Sequence, residues 1–120
     1  MAYVDGFLFP VPKRKLNAYL RLARRSGRIW REHGALEYRE CVGDDLRLKG
    51  VVATFPKRVA LKPGETVVFS WILYKSRAHR DRVNAKVLKD PRIVKMMKEP
   101  MPFNGKRMSY GGFRTIVDIA

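Results

Sequence analysis

Two carboxylates, Asp5 and Glu40, stand inside stretches whose apolar alternation reads as β-strand. A charged group in a strand is normally paired or exposed. If either acid faces the interior, its pKa is perturbed and it can exchange a proton with a bound molecule. The competing reading is a structural ion pair with Arg107 or Arg39, or exposure at a strand end. His33 directly precedes Gly34, at the expected end of a helix. A protonated imidazole there is favoured by the helix dipole, and the same ring projected into a cleft would be a general base. His79 falls in a surface helical pattern. Trp30, Tyr38, Trp71 and Tyr110 are able to wall an apolar pocket, although each is also ordinary core material.

Other chemistries find no support in the residues. Cys41 is the single cysteine, so the chain has no internal disulfide and no Cys-His spacing for zinc. We expect Cys41 to be buried as a small hydrophobe. Asp44 and Asp45 follow Gly43 and read as a turn. Gly111-Gly112 lies in a strand-like stretch, not in the strand-to-helix setting of a phosphate loop. A glycine pair there suggests a bulge or a close approach of another chain or ligand. No metal and no cofactor are expected, and no residue is assigned as catalytic.

The elements that must position these groups follow from periodicity. Ala2–Val11 alternates as a strand, with Tyr3, Asp5, Phe7 and Phe9 on one face and Val4, Gly6 and Leu8 on the other. From Pro12 to about His33 a helix is predicted, with Leu16, Leu20, Ala23, Gly27 and Trp30 as its buried stripe and the arginines opposite. Gly34 stops it. Ala35–Val42 is a second strand. Leu46–Leu61 is irregular, with 51–55 as an extended edge piece. Thr66–Tyr74 is the strongest strand, a nearly continuous β-branched and aromatic run. Ser76 caps a second helix to about Lys89, with Ala78, Val83, Val87 and Leu88 inward. Asp90-Pro91 starts a short helix carrying Ile93, Val94, Met96 and Met97. Arg107–Ile119 is the last strand.

This order, β-α-β-β-α-β, is the ferredoxin-like plan, an α+β fold with one antiparallel sheet and both helices on one face. It makes residues 1–120 a single domain. Both strand faces are nonetheless apolar. Val67, Phe69, Trp71 and Leu73 oppose Val68, Ile72 and Tyr74. A bare face of this kind needs a partner, and two such sheets facing each other make a dimeric α+β barrel. We therefore expect a homodimer. In this topology the first and last strands are neighbours. Gly6 and Gly111-Gly112 would leave room between them for a pocket offering Asp5, Arg107 and Tyr110 as polar groups and Trp71 as an apolar wall.

The net charge of +15 is concentrated in two segments. Lys13, Arg14, Lys15, Arg21, Arg24, Arg25, Arg28 and Arg31 have no acid among them. Arg77, Arg80, Arg82, Lys86, Lys89, Arg92, Lys95 and Lys98 face only Asp81 and Asp90. A basic surface can track phosphates. No aromatic residue interleaves with the charges as in single-strand binders, so nucleic-acid binding is expected to be weak and nonspecific. No apolar run approaches the ~20 residues of a membrane span. The N-terminus has no basic region or cleavage signal. The expectation is a soluble cytoplasmic protein.

Several segments in order carry a family resemblance: Tyr3–Phe7 (YVDGF), His33–Asp45 (HGALEYRECVGDD), Val67–Asn84 (VVFSWILYKSRAHRDRVN), Asp90–Arg92 (DPR) and Pro102–Phe113 (PFNGKRMSYGGF). They resemble the bacterial family known as domain of unknown function 1428, the YbaA-like proteins. Asn104 stands where the family often has Asp, and the arginine run of the first helix is richer. The resemblance implies a dimeric α+β barrel and brings no reaction, cofactor or catalytic residue with it. That superfamily also includes cofactor-independent monooxygenases and small isomerases, an analogy of fold alone. The leading expectation is a homodimer binding a small organic ligand, with candidate residues Asp5, Trp71, Arg107, Tyr110, Glu40 and His33. The alternatives are a cofactor-independent monooxygenase or isomerase-like enzyme, and an RNA-binding protein using the basic helices.

Overall fold

The computed structural model describes residues 1–50 and 53–120. Strand β1 (Tyr3–Pro12) leads through a short 3-10 turn into helix α1 (Leu16–Glu32). Strand β2 (Glu37–Val42), a one-turn helix α2 (Phe55–Arg58) and strand β3 (Glu65–Tyr74) follow. Helices α3 (Arg77–Lys89) and α4 (Pro91–Met97) precede a second 3-10 turn and strand β4 (Ser109–Arg114). The four strands form one antiparallel sheet in the order β2-β3-β1-β4. The long apolar strands β1 and β3 take the centre, where both edges of each can be paired.

The helix boundaries have local causes. Gly34 ends α1 at φ +116°, a conformation that disfavours side chains. Arg31 reaches past that end, donating to the carbonyls of Ala35 and Leu36 at 2.6 and 2.9 Å. The Ser76 hydroxyl accepts from the His79 amide at 3.1 Å and starts α3. The Asp90 carboxylate accepts from the Arg92 amide at 2.9 Å and starts α4, with Pro91 in its first turn. Each such cap contributes about 1 kcal/mol.

Helices α1, α3 and α4 all pack on one face of the sheet. Ile29, Val83, Val87, Ile93 and Met96 close over Ile72 and Tyr74, while Tyr19 and Ala23 close over Phe9, Val11 and Val68. Gly27 lets α1 approach β2, since a Cβ there would lie 2.7 Å from the Tyr38 ring. On the opposite face Val4, Leu8, Phe69, Trp71, Leu73 and Phe113 lie together by register. Phe69 remains 46% and Phe113 63% exposed. Phe55 of α2 stands at the rim of that face, 6.2 Å from the Phe69 ring.

Some expectations change. Phe55 opens a helix and is not part of an extended piece, because Thr54 caps the turn and Pro56 suits its start. Val51 and Val52 of that piece lie outside the described residues. The last strand is shorter, with Arg107 in a 3-10 turn and Ile116 and Ile119 exposed. Ala78, Leu88, Val94 and Met97 face outward, and the inner stripe of α3 and α4 is Val83, Val87, Ile93 and Met96. Cys41 is exposed because β2 is an edge strand and its odd positions point to the open face.

Candidate functional site

One row across the sheet sets the site. Glu40 on β2 lies opposite Ser70 on β3, Ser70 opposite Phe7 on β1, and Phe7 opposite Tyr110 on β4. All four side chains belong to the helix-covered face. Between this face and helices α1 and α4 is a cavity of about 330 Å³. Phe9, Leu22, Ala23, Trp30, Ile72 and Met96 give it apolar walls. Its polar end is Glu40, Tyr19 and Ser70. The Tyr19 hydroxyl donates to the two Glu40 oxygens at 2.7 and 2.5 Å. Tyr19 is itself fixed by edge contacts with Phe9 and Phe103 at 5.5 and 5.6 Å. Burial pushes the Glu40 pKa up, against the hydrogen bonds from Tyr19 and Ser70. Burial and the neighbouring Glu40 charge push the Tyr19 phenol up as well. Leu88, Met97 and Met101 stand exposed at the mouth.

A second polar centre is organised by Asp5, which is 1% exposed. Arg80 of α3 donates to its Oδ1 at 2.7 Å and also binds Asp81 at 2.7 Å. The Arg80 guanidinium lies 5.0 Å from the centre of the Tyr3 ring. Asn84, one turn on, accepts from Trp30 Nε1 at 3.1 Å and from the Tyr74 hydroxyl at 3.2 Å. Burial raises the Asp5 pKa, with Arg80 pulling the other way. Tyr110 stacks on Phe7 at 5.0 Å and lies 3.5 Å from Arg80, which donates to its hydroxyl.

Between β1 and β4 runs a groove of about 670 Å³, lined by Val4, Gly6, Leu8, Trp71, Gly111 and Phe113 but by neither Asp5 nor Arg107. It lies on the open face, and Asp5 points the other way. Trp71 lines this groove and also borders the inner cavity. Strands β1 and β4 pair in continuous register, so the glycine pair makes no bulge. Gly112 instead admits the Tyr3 ring, since a Cβ there would lie 2.8 Å from Cε2.

The remaining candidates separate. Arg107 does not pair with Asp5. It binds Glu65 through two bonds of 2.6 and 3.0 Å and donates to the Ala60 carbonyl at 2.9 Å. It thereby ties the segment before β4 to the start of β3. Arg39 pairs with Glu37 at 3.3 Å and not with Glu40. His33 lies 2.8 Å from Asp90, which also binds Arg92 at 2.8 Å, so the ring joins a surface network at the helix ends. Among the described residues no three His, Cys, Asp or Glu side chains converge as a metal site would require. Tyr19, Ser70, Arg80 and Asn84 were not among the sequence candidates. Arg80 and Tyr19 do leave a trace, for each sits one helical step from a buried stripe, before Val83 and Ala23 respectively.

The profile of the DUF1428 family, proteins of unknown function, matches residues 2–105. The uncharacterized protein YbaA of Escherichia coli strain K12 is 46% identical over 118 residues, covering 98% of this chain and 99% of the relative. YbaA of Shigella flexneri gives the same figures. Among solved structures, Rv0793 from Mycobacterium tuberculosis superposes with a TM-score of 0.61 at 12% identity, covering 100% of both chains. That likeness concerns the fold alone and agrees with an α+β arrangement. No described helix is long and apolar enough to cross a membrane. By the extent of the family match and the identity to YbaA, the chain belongs to the DUF1428 family.

Proposed function

We propose that this protein binds a small organic molecule, largely apolar with one hydrogen-bonding group, in the cavity beneath α1 and α4, and that it does so as a homodimer. The observation that carries the ligand reading is the cavity itself. Its volume of about 330 Å³ lies in the range of ligand sites, and its apolar walls meet a few convergent polar groups at one end. A space of this size beneath two helices, with a carboxylate that has no cation partner among the described residues, is a poor way to fill a core, since close packing is the rule and empty volume lowers stability.

The assembly reading rests on the open face. Phe69, Trp71 and Phe113 together with Val4, Leu8 and Leu73 form an apolar surface that two ferredoxin-like sheets would bury against each other, giving a dimeric α+β barrel. Such an interface is expected to bury well over ~1,000 Å² in total. In this arrangement the arginine-bearing side of α1 faces away from the partner.

Titration with tetralin, an apolar bicyclic probe, tests the ligand reading. Amide shifts are expected on α1 and α4 around Ala23, Ser26 and Met96. They should be lost in Ser26→Phe, which fills the cavity, while the thermal melt stays cooperative. Shifts confined to Val4, Leu8 and Phe113, or no binding at millimolar probe, would refute it. Light scattering at micromolar concentration tests the assembly, with a monomer as the refuting result.

A further inference from the structure

We infer that Glu40 is an acid–base group that removes and returns the α-proton of a small apolar carbonyl compound held in the cavity. The inference rests on the ligand reading above and names the chemistry of the same site.

The argument begins with how this chain treats its acids. It has 11 Asp and Glu among 26 Lys and Arg, so a carboxylate that needs a cation has many to choose from. Asp5, Glu32, Glu37, Glu65, Asp81, Asp90 and Glu99 each lie within 4 Å of an arginine. Asp44, Asp45 and Asp118 are exposed. Glu40 differs from both groups. It is drawn in from solvent, lines the cavity, and among the described residues has hydroxyl partners in place of a cation. Every element around it conforms. On its own strand, Arg39 points to the other face and pairs with Glu37. Strand β3 supplies neutral Ser70. Helix α1 supplies Tyr19; on its outer side Glu40 also borders a groove with Arg24, Arg28 and Arg31, and among the described residues none of these comes within 4 Å of its carboxylate. A carboxylate held as a structural ion would be paired. One kept unpaired against an apolar space retains its basicity, and burial raises that basicity further.

The polar end of the cavity also defines what suits it. A base and the Ser70 hydroxyl lie side by side, and the remaining walls are mostly apolar, with Ser26 of α1 among them. A carbonyl compound presents a matching pair two bonds apart, an acceptor oxygen and an acidic α C–H. In the step, a Glu40 oxygen takes the α-proton. The C–H electron pair becomes the new C=C bond, and the carbonyl π pair moves to oxygen. That oxygen accepts a hydrogen bond from the Ser70 hydroxyl, which turns from Glu40 as Glu40 takes the proton and becomes neutral. Return of the proton to the same carbon restores the ketone, and return to a conjugated carbon gives an isomer. Tyr19 is a positioning residue with respect to Glu40. It supplies one proton to a carboxylate with about four acceptor positions, which leaves positions open to the ligand.

The test uses β-tetralone in D2O, with proton NMR reading deuterium entry at its α-carbon and ligand line-broadening reading binding. Tetralin, the same skeleton without the carbonyl, is measured alongside. The wild type is expected to bind both and to accelerate deuterium entry about a hundredfold or more over buffer. Glu40→Gln should lose that acceleration while still binding tetralin, and Glu40→Asp should retain part of it. Tyr19→Phe should move the acid limb of the pH–rate profile upward, because it removes a hydrogen bond that lowers the Glu40 pKa. Bound β-tetralone whose exchange is no faster than in Glu40→Gln overturns the acid–base role and leaves the ligand reading standing. Binding of tetralin without β-tetralone overturns the carbonyl assignment. Binding of neither overturns the ligand reading and this inference together.

Discussion

Replacing Asp5 by Asn keeps the shape of the side chain and removes its charge. Asp5 is 1% exposed and holds Arg80 at 2.7 Å, and the Arg80 side chain is itself only 14% exposed. The change leaves a mostly buried guanidinium with Asp81, whose side chain is 60% exposed, as its remaining acid. Removing one partner of a buried pair typically costs about 3–5 kcal/mol. Two effects reduce that figure here. Asn avoids the desolvation that raises the Asp5 pKa, and Arg80 keeps Asp81. We therefore expect a loss of about 2–3 kcal/mol. For a chain of this length that lowers Tm by roughly 10 °C. Urea unfolding at pH 7 and fixed protomer concentration reads it directly, since association would otherwise shift the midpoint. The double variant Asp5→Asn with Arg80→Met should lie closer to the wild type than Asp5→Asn alone, because no charge is then stranded. Tetralin binding should be unchanged, since Asp5 lines neither cavity. An Asp5→Asn protein within about 0.5 kcal/mol of the wild type would refute the reasoning.

Glu40→Gln should be at least as stable as the wild type at pH 7. The folded-state pKa of Glu40 lies above its unfolded value, so between the two the native state binds more protons and wild-type stability falls as pH rises. The advantage of Gln should therefore shrink on acidification and vanish below about pH 4, and a wild-type-minus-variant difference that stays flat with pH in urea titrations would contradict this. Arg21, Arg24, Arg25 and Arg28 are exposed along α1. Binding to DNA or RNA through them should be nonspecific and lost by roughly 200 mM salt, and sequence-dependent binding that survives there would show a built nucleic-acid site.

The elements were legible in the sequence wherever pattern and punctuation agreed. Ser76 and Asp90-Pro91 start helices because their side chains satisfy free amides, and Gly34 stops one because its φ is positive. The two apolar faces of β1 and β3 could be read from alternation alone. The partners of the charged groups could not. Which arginine meets Asp5 depends on how α3 crosses the sheet, and that distance is set by packing in three dimensions. Arg80 shares the inward stripe with Val83 and Val87, a placement that periodicity permits but that charge argued against. Tyr19 was hidden in the same way, one helical turn before Ala23. Arg107 looked like a strand residue because the run after it is β-rich, yet Asn104 caps a short turn there and sends it to Glu65. Glu40 was visible as a charge in a strand. That no cation among the described residues pairs with it became apparent only from the fold.

A crystal structure of the protein soaked with tetralin tests the central claim most directly, because it locates the occupied space. The expected result is ligand density between the sheet, α1 and α4, in contact with Ala23 and Met96 and ending beside the Tyr19–Glu40 pair. Density confined to the groove over Gly6 and Phe113, or an inner cavity filled by shifted side chains with no ligand, would contradict the account.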